Sequence, residues 1–180
     1  MTVASIITLC RIALIPLYMV LMACDYVIPA LVVFVIASIT DTVDGYVARK
    51  YNQVSDFGKF IDPLADKLLV FSALLIFVEW GIMPSWIAMI ILARELMVTS
   101  LRIVAMGAGF AMAARLSGKI KTTVQIICIV GIMLFNNTVL WDIPVYTFFN
   151  YALLIVTVWS GIDYVVSNLD LFKDTTKNTK

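Results

Sequence analysis

Long apolar runs, separated by short polar or charged stretches, follow one another along the chain. A helix needs about 20 residues to cross a hydrocarbon core about 30 Å thick, and six runs approach that length. The pattern predicts helices over 6–24, 26–49, 57–78, 84–107, 121–141 and 143–166. We therefore expect an all-α, polytopic membrane protein with six transmembrane helices. The predicted domains are one transmembrane domain over 1–170 and a polar tail over 171–180.

The composition narrows the possible classes of protein. Hydrophobic residues make up 62% of the 180 residues and charged residues 14%, whereas soluble domains average about 45–50% and about 25%. These values exclude a water-soluble globule. The net charge of +1 and the lack of a basic tract argue against a nucleic-acid partner. Histidine is absent from the sequence, so metal or acid–base chemistry would depend on carboxylates.

Lysine and arginine are unevenly distributed between the two ends of the predicted helices. One set of connections contains Arg49 and Lys119 among other cations, whereas those near residues 25, 79 and 142 contain neither residue type. Lysine and arginine accumulate on the cytoplasmic side of membrane proteins with short loops. We therefore expect both termini in the cytoplasm.

The three cysteines, Cys10, Cys24 and Cys128, lie far apart in apolar runs. This spacing indicates packing residues rather than a metal cluster or a disulfide framework. The segment that ends at Cys24 is similar to a lipoprotein cleavage site, but the positively charged region before it is thin. We therefore interpret the first apolar run as a helix.

Four aspartates fall at helical spacing on the second and third predicted helices. Asp41 and Asp44 are three residues apart, and residues at this spacing share a helix face. The same holds for Asp62 and Asp66, four residues apart. A rise of 1.5 Å per residue brings both pairs to one level near the cytoplasmic face, where like charges must be neutralised.

Protonation is one way to neutralise these carboxylates, and it is expected in a proton or cation pathway. Divalent cations are the other, because carboxylate ligands suit Mg²⁺ or Mn²⁺. Two such ions about 3.5–4 Å apart can act together in displacement at phosphorus. We favour a two-metal site for phosphoryl transfer.

The aspartates belong to a longer motif, Asp41-x2-Asp44-Gly45-x2-Ala48-Arg49-x8-Gly58-x3-Asp62-x3-Asp66. At all eight fixed positions the motif resembles the signature of the CDP-alcohol phosphotransferases, which are integral membrane enzymes of phospholipid synthesis. The resemblance extends over nearly the whole chain and implies a six-helix fold with a site at the inner face.

The resemblance also implies roles for individual residues. It implies two divalent cations, Mg²⁺ or Mn²⁺, with four ligands: Asp41, Asp44, Asp62 and Asp66. It implies that Asp66 is also the general base for the attacking hydroxyl. The residues expected to hold the CDP group are Gly45, Ala48, Arg49, Gly58, Thr8 and Arg11. For Arg11, snorkelling to the membrane interface is the alternative.

Arg94-Glu95 and Arg102 lie on the fourth predicted helix, and the run Gly118-Lys119-Ile120-Lys121-Thr122 lies at the start of the fifth. These residues are similar to those of the bacterial phosphatidylglycerophosphate synthases. This resemblance implies CDP-diacylglycerol as donor, glycerol 3-phosphate as acceptor, a homodimer, and the inner membrane of a bacterial cell as location. The residues expected to bind the acceptor phosphate are Arg94, Arg102, Lys119 and Lys121. For these residues the alternatives are a structural pair of Arg94 with Glu95 or with an aspartate, and lysines that only flank the helix. For the function the alternatives are another acceptor within the family, such as phosphatidylglycerol, serine or inositol phosphate, a cation transporter, and a purely structural membrane protein.

Overall fold

The computed structural model describes the backbone of residues 3–51, 56–107, 116–140 and 142–167, and the side chains of 10–40, 67–103, 116–140 and 142–167. These residues form six helices and one short strand pair. The elements are α1 (Val3–Ala23), α2 (Val27–Tyr51), α3 (Asp56–Glu79), α4 (Ser85–Gly107), α5 (Leu116–Phe135), β1 (Val139–Leu140), β2 (Ile143–Pro144) and α6 (Val145–Ser167). The prediction of a helical protein is confirmed, and the strand pair is an addition to it.

Two connections are tight turns, each closed by a residue in the left-handed conformation. Asp25 follows α1 with a φ of 65°. Its N–H donates to the carbonyl of Met22 at 3.0 Å, and the N–H of Tyr26 donates to Leu21 at 2.9 Å. Gly81 follows α3 with a φ of 71° and the equivalent pair of hydrogen bonds. These bonds satisfy the last helical carbonyls and reverse the chain, which places α1 beside α2 and α3 beside α4.

The connection between α5 and α6 differs from the prediction. The helix predicted over 121–141 begins at Leu116 and ends at Phe135. The predicted end was wrong because the apolar residues after Asn137 were counted as helix, although Asn favours turns over helix interiors. The strands β1 and β2 instead pair antiparallel around Asp142, which has a φ of 62°.

The helices pack in two groups that share one apolar core. α1 packs against α2 and α3, whereas α6 packs against α5 and α4. Tyr18 of α1 links the groups: its ring lies 5.7 Å from that of Phe34 in α2, and its hydroxyl donates to Sδ of Met133 in α5 at 3.9 Å. This core fixes the relative positions of the helices that carry the charged residues described below.

The outer surface of the bundle is also apolar. Large hydrophobic side chains are exposed on several helices, including Val20, Ile36, Leu75, Met89 and Ile155. Among the described residues, two helices are long and apolar enough to cross a membrane, Leu116–Phe135 and Val145–Ser167. Shorter apolar helical stretches lie at Cys10–Ala23 and Val27–Thr40. The predicted total of six membrane spans therefore stays a prediction.

Candidate active site

Glu95 lies at the centre of a cluster of three cationic side chains. Nζ of Lys67, from α3, donates to Oε2 of Glu95 at 3.1 Å. Nη1 of Arg94, beside Glu95 on α4, contacts Oε1 at 3.5 Å. Lys121 of α5 forms an ion pair with the same oxygen. We call these four residues the Glu95 cluster, and they bring charge from three helices to one place.

Burial makes this arrangement energetically demanding. Lys121 is 1% exposed, and Arg94 is also buried. Transferring an ammonium group out of water costs several kcal/mol, and the cost is offset only by close ionic partners and hydrogen bonds. Nε of Arg94 has no hydrogen-bond partner among the described residues. The cluster therefore has the composition of an anion-binding site as well as that of a structural ion-pair network.

A cavity adjoins the Glu95 cluster. It is lined by side chains from five helices, among them Arg11, Ser38, Lys67, Glu95 and Gln125. Its empty volume is ≈ 620 Å³, including space that is open to the outside. Charged groups from the cluster and apolar side chains line the same cavity, as expected for a site that binds a small polar ligand.

The structure places the sequence-predicted cations in different environments. Arg94 and Lys121 belong to the Glu95 cluster, and Arg11 is buried, at 1% exposure, in the cavity wall. Arg11 thus does not extend along the outer surface as a snorkelling side chain would. Arg102 and Lys119 are exposed on α4 and α5.

The signature residues lie on the predicted helices, but their side chains are outside the described part of the chain. Asp41, Asp44, Gly45, Ala48 and Arg49 fall within α2, Gly58, Asp62 and Asp66 within α3, and Thr8 within α1. Among the side chains that the structure describes, no group of three or more acidic, histidine or cysteine residues could hold a metal. The predicted metal site therefore stays a prediction.

Sequence reasoning assigned no role in the site to Lys67 or to Gln125, which both line this cavity. Lys67 directly follows Asp66 of the signature, and its position there could have indicated a role. Gln125 is a polar residue in an otherwise apolar stretch, four residues after Lys121 on α5. Because residues four apart share a helix face, that spacing could have indicated Gln125 as well.

Comparison with known proteins identifies the family. The family model described as CDP-alcohol phosphatidyltransferase matches residues 1–161. The chain belongs to the CDP-alcohol phosphatidyltransferase family. As a CDP-alcohol phosphatidyltransferase the protein is an enzyme. This assignment replaces the alternative interpretation, in which the aspartates belong to a cation transporter.

Several relatives resemble this CDP-alcohol phosphatidyltransferase over most of its length. It is 43% identical to the CDP-diacylglycerol–glycerol-3-phosphate 3-phosphatidyltransferase of Bacillus subtilis, with 93% of this chain and 95% of the relative covered. It is 37% identical to a probable phosphatidylglycerophosphate synthase of Mycobacterium tuberculosis, with 92% and 81% covered. A CDP-diacylglycerol–glycerol-3-phosphate 3-phosphatidyltransferase of Salmonella typhimurium is 33% identical, with 91% and 92% covered.

Proposed function

We propose that the enzyme transfers the phosphatidyl group of CDP-diacylglycerol to sn-glycerol 3-phosphate and releases CMP and phosphatidylglycerol phosphate. The observation that carries this proposal is the convergence of Lys67, Arg94 and Lys121 beside a cavity. Ammonium and guanidinium groups form strong, charge-assisted hydrogen bonds with phosphate oxygens. The names of the relatives support the same donor and acceptor.

The position of the cavity along the helices supports a connection to the signature aspartates. Ala37 lines the cavity, and Asp41 follows it by four residues on α2. Val70 also lines the cavity, and Asp66 precedes it by four residues on α3. Residues four apart share a helix face. We therefore infer that the cavity and the aspartates form one continuous site, with the acceptor next to the reacting phosphate.

The donor set suits two hard divalent cations, because it consists of carboxylates from two helices that contact each other. Asp41, Asp44, Asp62 and Asp66 would hold Mg²⁺ or Mn²⁺. When bound, the two ions neutralise the diphosphate and polarise the attacked phosphorus.

The chain's own residues then have separate tasks in the proposed reaction. Asp66 accepts the proton of the acceptor hydroxyl, and the oxygen of that hydroxyl attacks the phosphorus of the phosphatidyl group. The bond from that phosphorus to the CMP phosphate breaks, and CMP leaves with the bonding electron pair. Arg94 and Lys121 hold the acceptor phosphate, whereas the exposed Arg102 and Lys119 attract it from solution. The residues proposed to hold CDP are Thr8, Arg11, Gly45, Ala48, Arg49 and Gly58.

We further propose that the six helices all span a bacterial inner membrane, with both termini and the site on the cytoplasmic side. The exposed apolar side chains around the bundle support contact with lipid. The acyl chains of the donor can then stay in the bilayer while its CDP group enters the site. We also propose that the enzyme forms a homodimer, and the support for this is the family resemblance alone.

Purified enzyme supplied with CDP-diacylglycerol and a panel of acceptors tests this function. We expect CMP release with glycerol 3-phosphate, its loss on chelation with EDTA, and its recovery on addition of Mg²⁺ or Mn²⁺. The panel includes phosphatidylglycerol, serine and inositol phosphate. Turnover with one of these and none with glycerol 3-phosphate would assign a different acceptor, and full activity in EDTA would contradict the two-metal site.

A further inference from the structure

The side-chain amide of Gln125 has a defined orientation, although its oxygen and nitrogen are similar in size. Nζ of Lys121 lies 2.5 Å from Oε1 of Gln125. An ammonium group has donors only, so its neighbour in this contact must be the amide oxygen rather than the amide nitrogen. The two N–H bonds on Nε2 of Gln125 are therefore left for another acceptor.

No described group accepts a hydrogen bond from Nε2 of Gln125, and this atom is buried. Leaving a buried donor without a partner costs about 1–3 kcal/mol, so such groups require an explanation. Asn150 and Thr157 also have a buried polar atom without a partner in the described part of the chain, but neither lines the cavity. Gln125 is only 3% exposed and lies in the cavity wall with Lys67 and Glu95.

The chemistry of this donor favours a neutral oxygen of the ligand. The neighbouring cations of the Glu95 cluster match the charge of a phosphate, whereas an amide N–H is suited to a hydroxyl oxygen. A donor on the attacking hydroxyl would withdraw the electron density needed for attack on phosphorus. A hydrogen bond from the amide N–H is therefore best placed on the oxygen of the hydroxyl that does not react.

The geometry points to Gln125 as a specificity-determining residue that donates from Nε2 to the unreactive C2 hydroxyl of glycerol 3-phosphate. This inference rests on the proposed function, because it takes glycerol 3-phosphate as the acceptor. Lys121 orients the amide, and the ligand hydroxyl accepts from the Nε2 donor, for which the described residues supply no acceptor. A site built to bind a hydroxyl group discriminates against analogues without it, since the buried donor is then unsatisfied.

The test compares glycerol 3-phosphate with 3-hydroxypropyl phosphate, which keeps the terminal hydroxyl and the phosphate but has no C2 hydroxyl. We expect kcat/KM of the wild-type enzyme to be lower for the analogue by about 10- to 100-fold. In Gln125→Met, which removes the amide at similar size, the two acceptors should become nearly equal. Gln125→Glu keeps an oxygen for Lys121 and has no N–H, so it should also lose the discrimination.

Thr123→Val is the matched control, since Thr123 is an exposed polar residue on the same helix that donates to the carbonyl of Lys119. This variant should discriminate between the acceptors as the wild-type enzyme does. Equal use of both acceptors by the wild-type enzyme, or unchanged discrimination in the folded Gln125 variants, would overturn the inference while leaving the proposed function intact. Failure of both variants to fold would make Gln125 a packing residue and would also overturn it. Only failure of the wild-type enzyme with glycerol 3-phosphate bears on the proposed function.

Discussion

Lys121 carries its charge at a buried position, where it contacts both Glu95 and Gln125. We expect Lys121→Met to raise the KM for glycerol 3-phosphate by about 10- to 100-fold, because a charged hydrogen bond contributes about 1.5–3 kcal/mol. The effect on kcat should be smaller, since the acceptor phosphate is distant from the bonds that form and break. Steady-state kinetics at saturating CDP-diacylglycerol measures both constants.

Lys119→Met provides the comparison, because it removes the same charge two residues away at an exposed position. Lys119→Met should raise KM much less than Lys121→Met does. Its effect on KM should be larger at low salt than at high salt, since salt screens exposed charges. An unchanged KM in Lys121→Met, with the protein still folded, would limit Lys121 to a structural role in the Glu95 cluster.

At the scale of elements, α5 and α6 approach closely at Gly131. A methyl group on Gly131 would lie 2.5 Å from Cζ and 2.6 Å from Cε1 of Phe149. The Phe149 ring stacks on Phe135, with 6.4 Å between centroids, so its movement disturbs a second ring. We expect Gly131→Ala to reduce stability by about 1–3 kcal/mol, the usual cost of overpacking. Thermal unfolding in detergent can be followed through the reactivity of the buried Cys128 after replacement of Cys10 and Cys24 by Ser.

Gly118→Ala, on the same helix, is the control for this prediction. A methyl group at Gly118 would have no atom of the described residues within 4 Å, and Ala has a higher helix propensity than Gly. This change should leave the unfolding temperature unchanged or raise it slightly. A Gly131→Ala protein as stable as the wild type would show that the two helices separate at little cost.

The sequence allowed prediction of the helices because each contains a long apolar run between charged or turn-forming residues. The end of α5 was predicted wrongly, since hydropathy alone does not distinguish a helix end from the apolar strands β1 and β2. The signature indicated the aspartates through helical spacing. The Glu95 cluster was harder to predict than the aspartates. Which charged side chains come into contact depends on how α3, α4 and α5 are rotated about their axes and shifted along them.

At the scale of the whole molecule, charge and exposure together predict the orientation in the membrane. The turns at Asp25 and Gly81 close one end of the bundle. Lys119 and Lys121 lie in the first turns of α5, which is joined to the opposite end of α4. Because cations accumulate on the cytoplasmic side, the ends with these lysines should face the cytoplasm and the tight turns should face outward.

Single cysteines at opposite ends of the bundle test this orientation. Cys24 is exposed directly after α1, and Leu116 is 75% exposed at the start of α5. One protein keeps Cys24 alone; the other carries Leu116→Cys with the three native cysteines replaced by Ser. In intact bacterial spheroplasts, a membrane-impermeant maleimide should label Cys24 and not the residue 116 variant, which should react only after permeabilisation. The opposite labelling pattern would place the Glu95 cluster nearer the outer face, away from a cytoplasmic supply of glycerol 3-phosphate, and would contradict the proposed orientation.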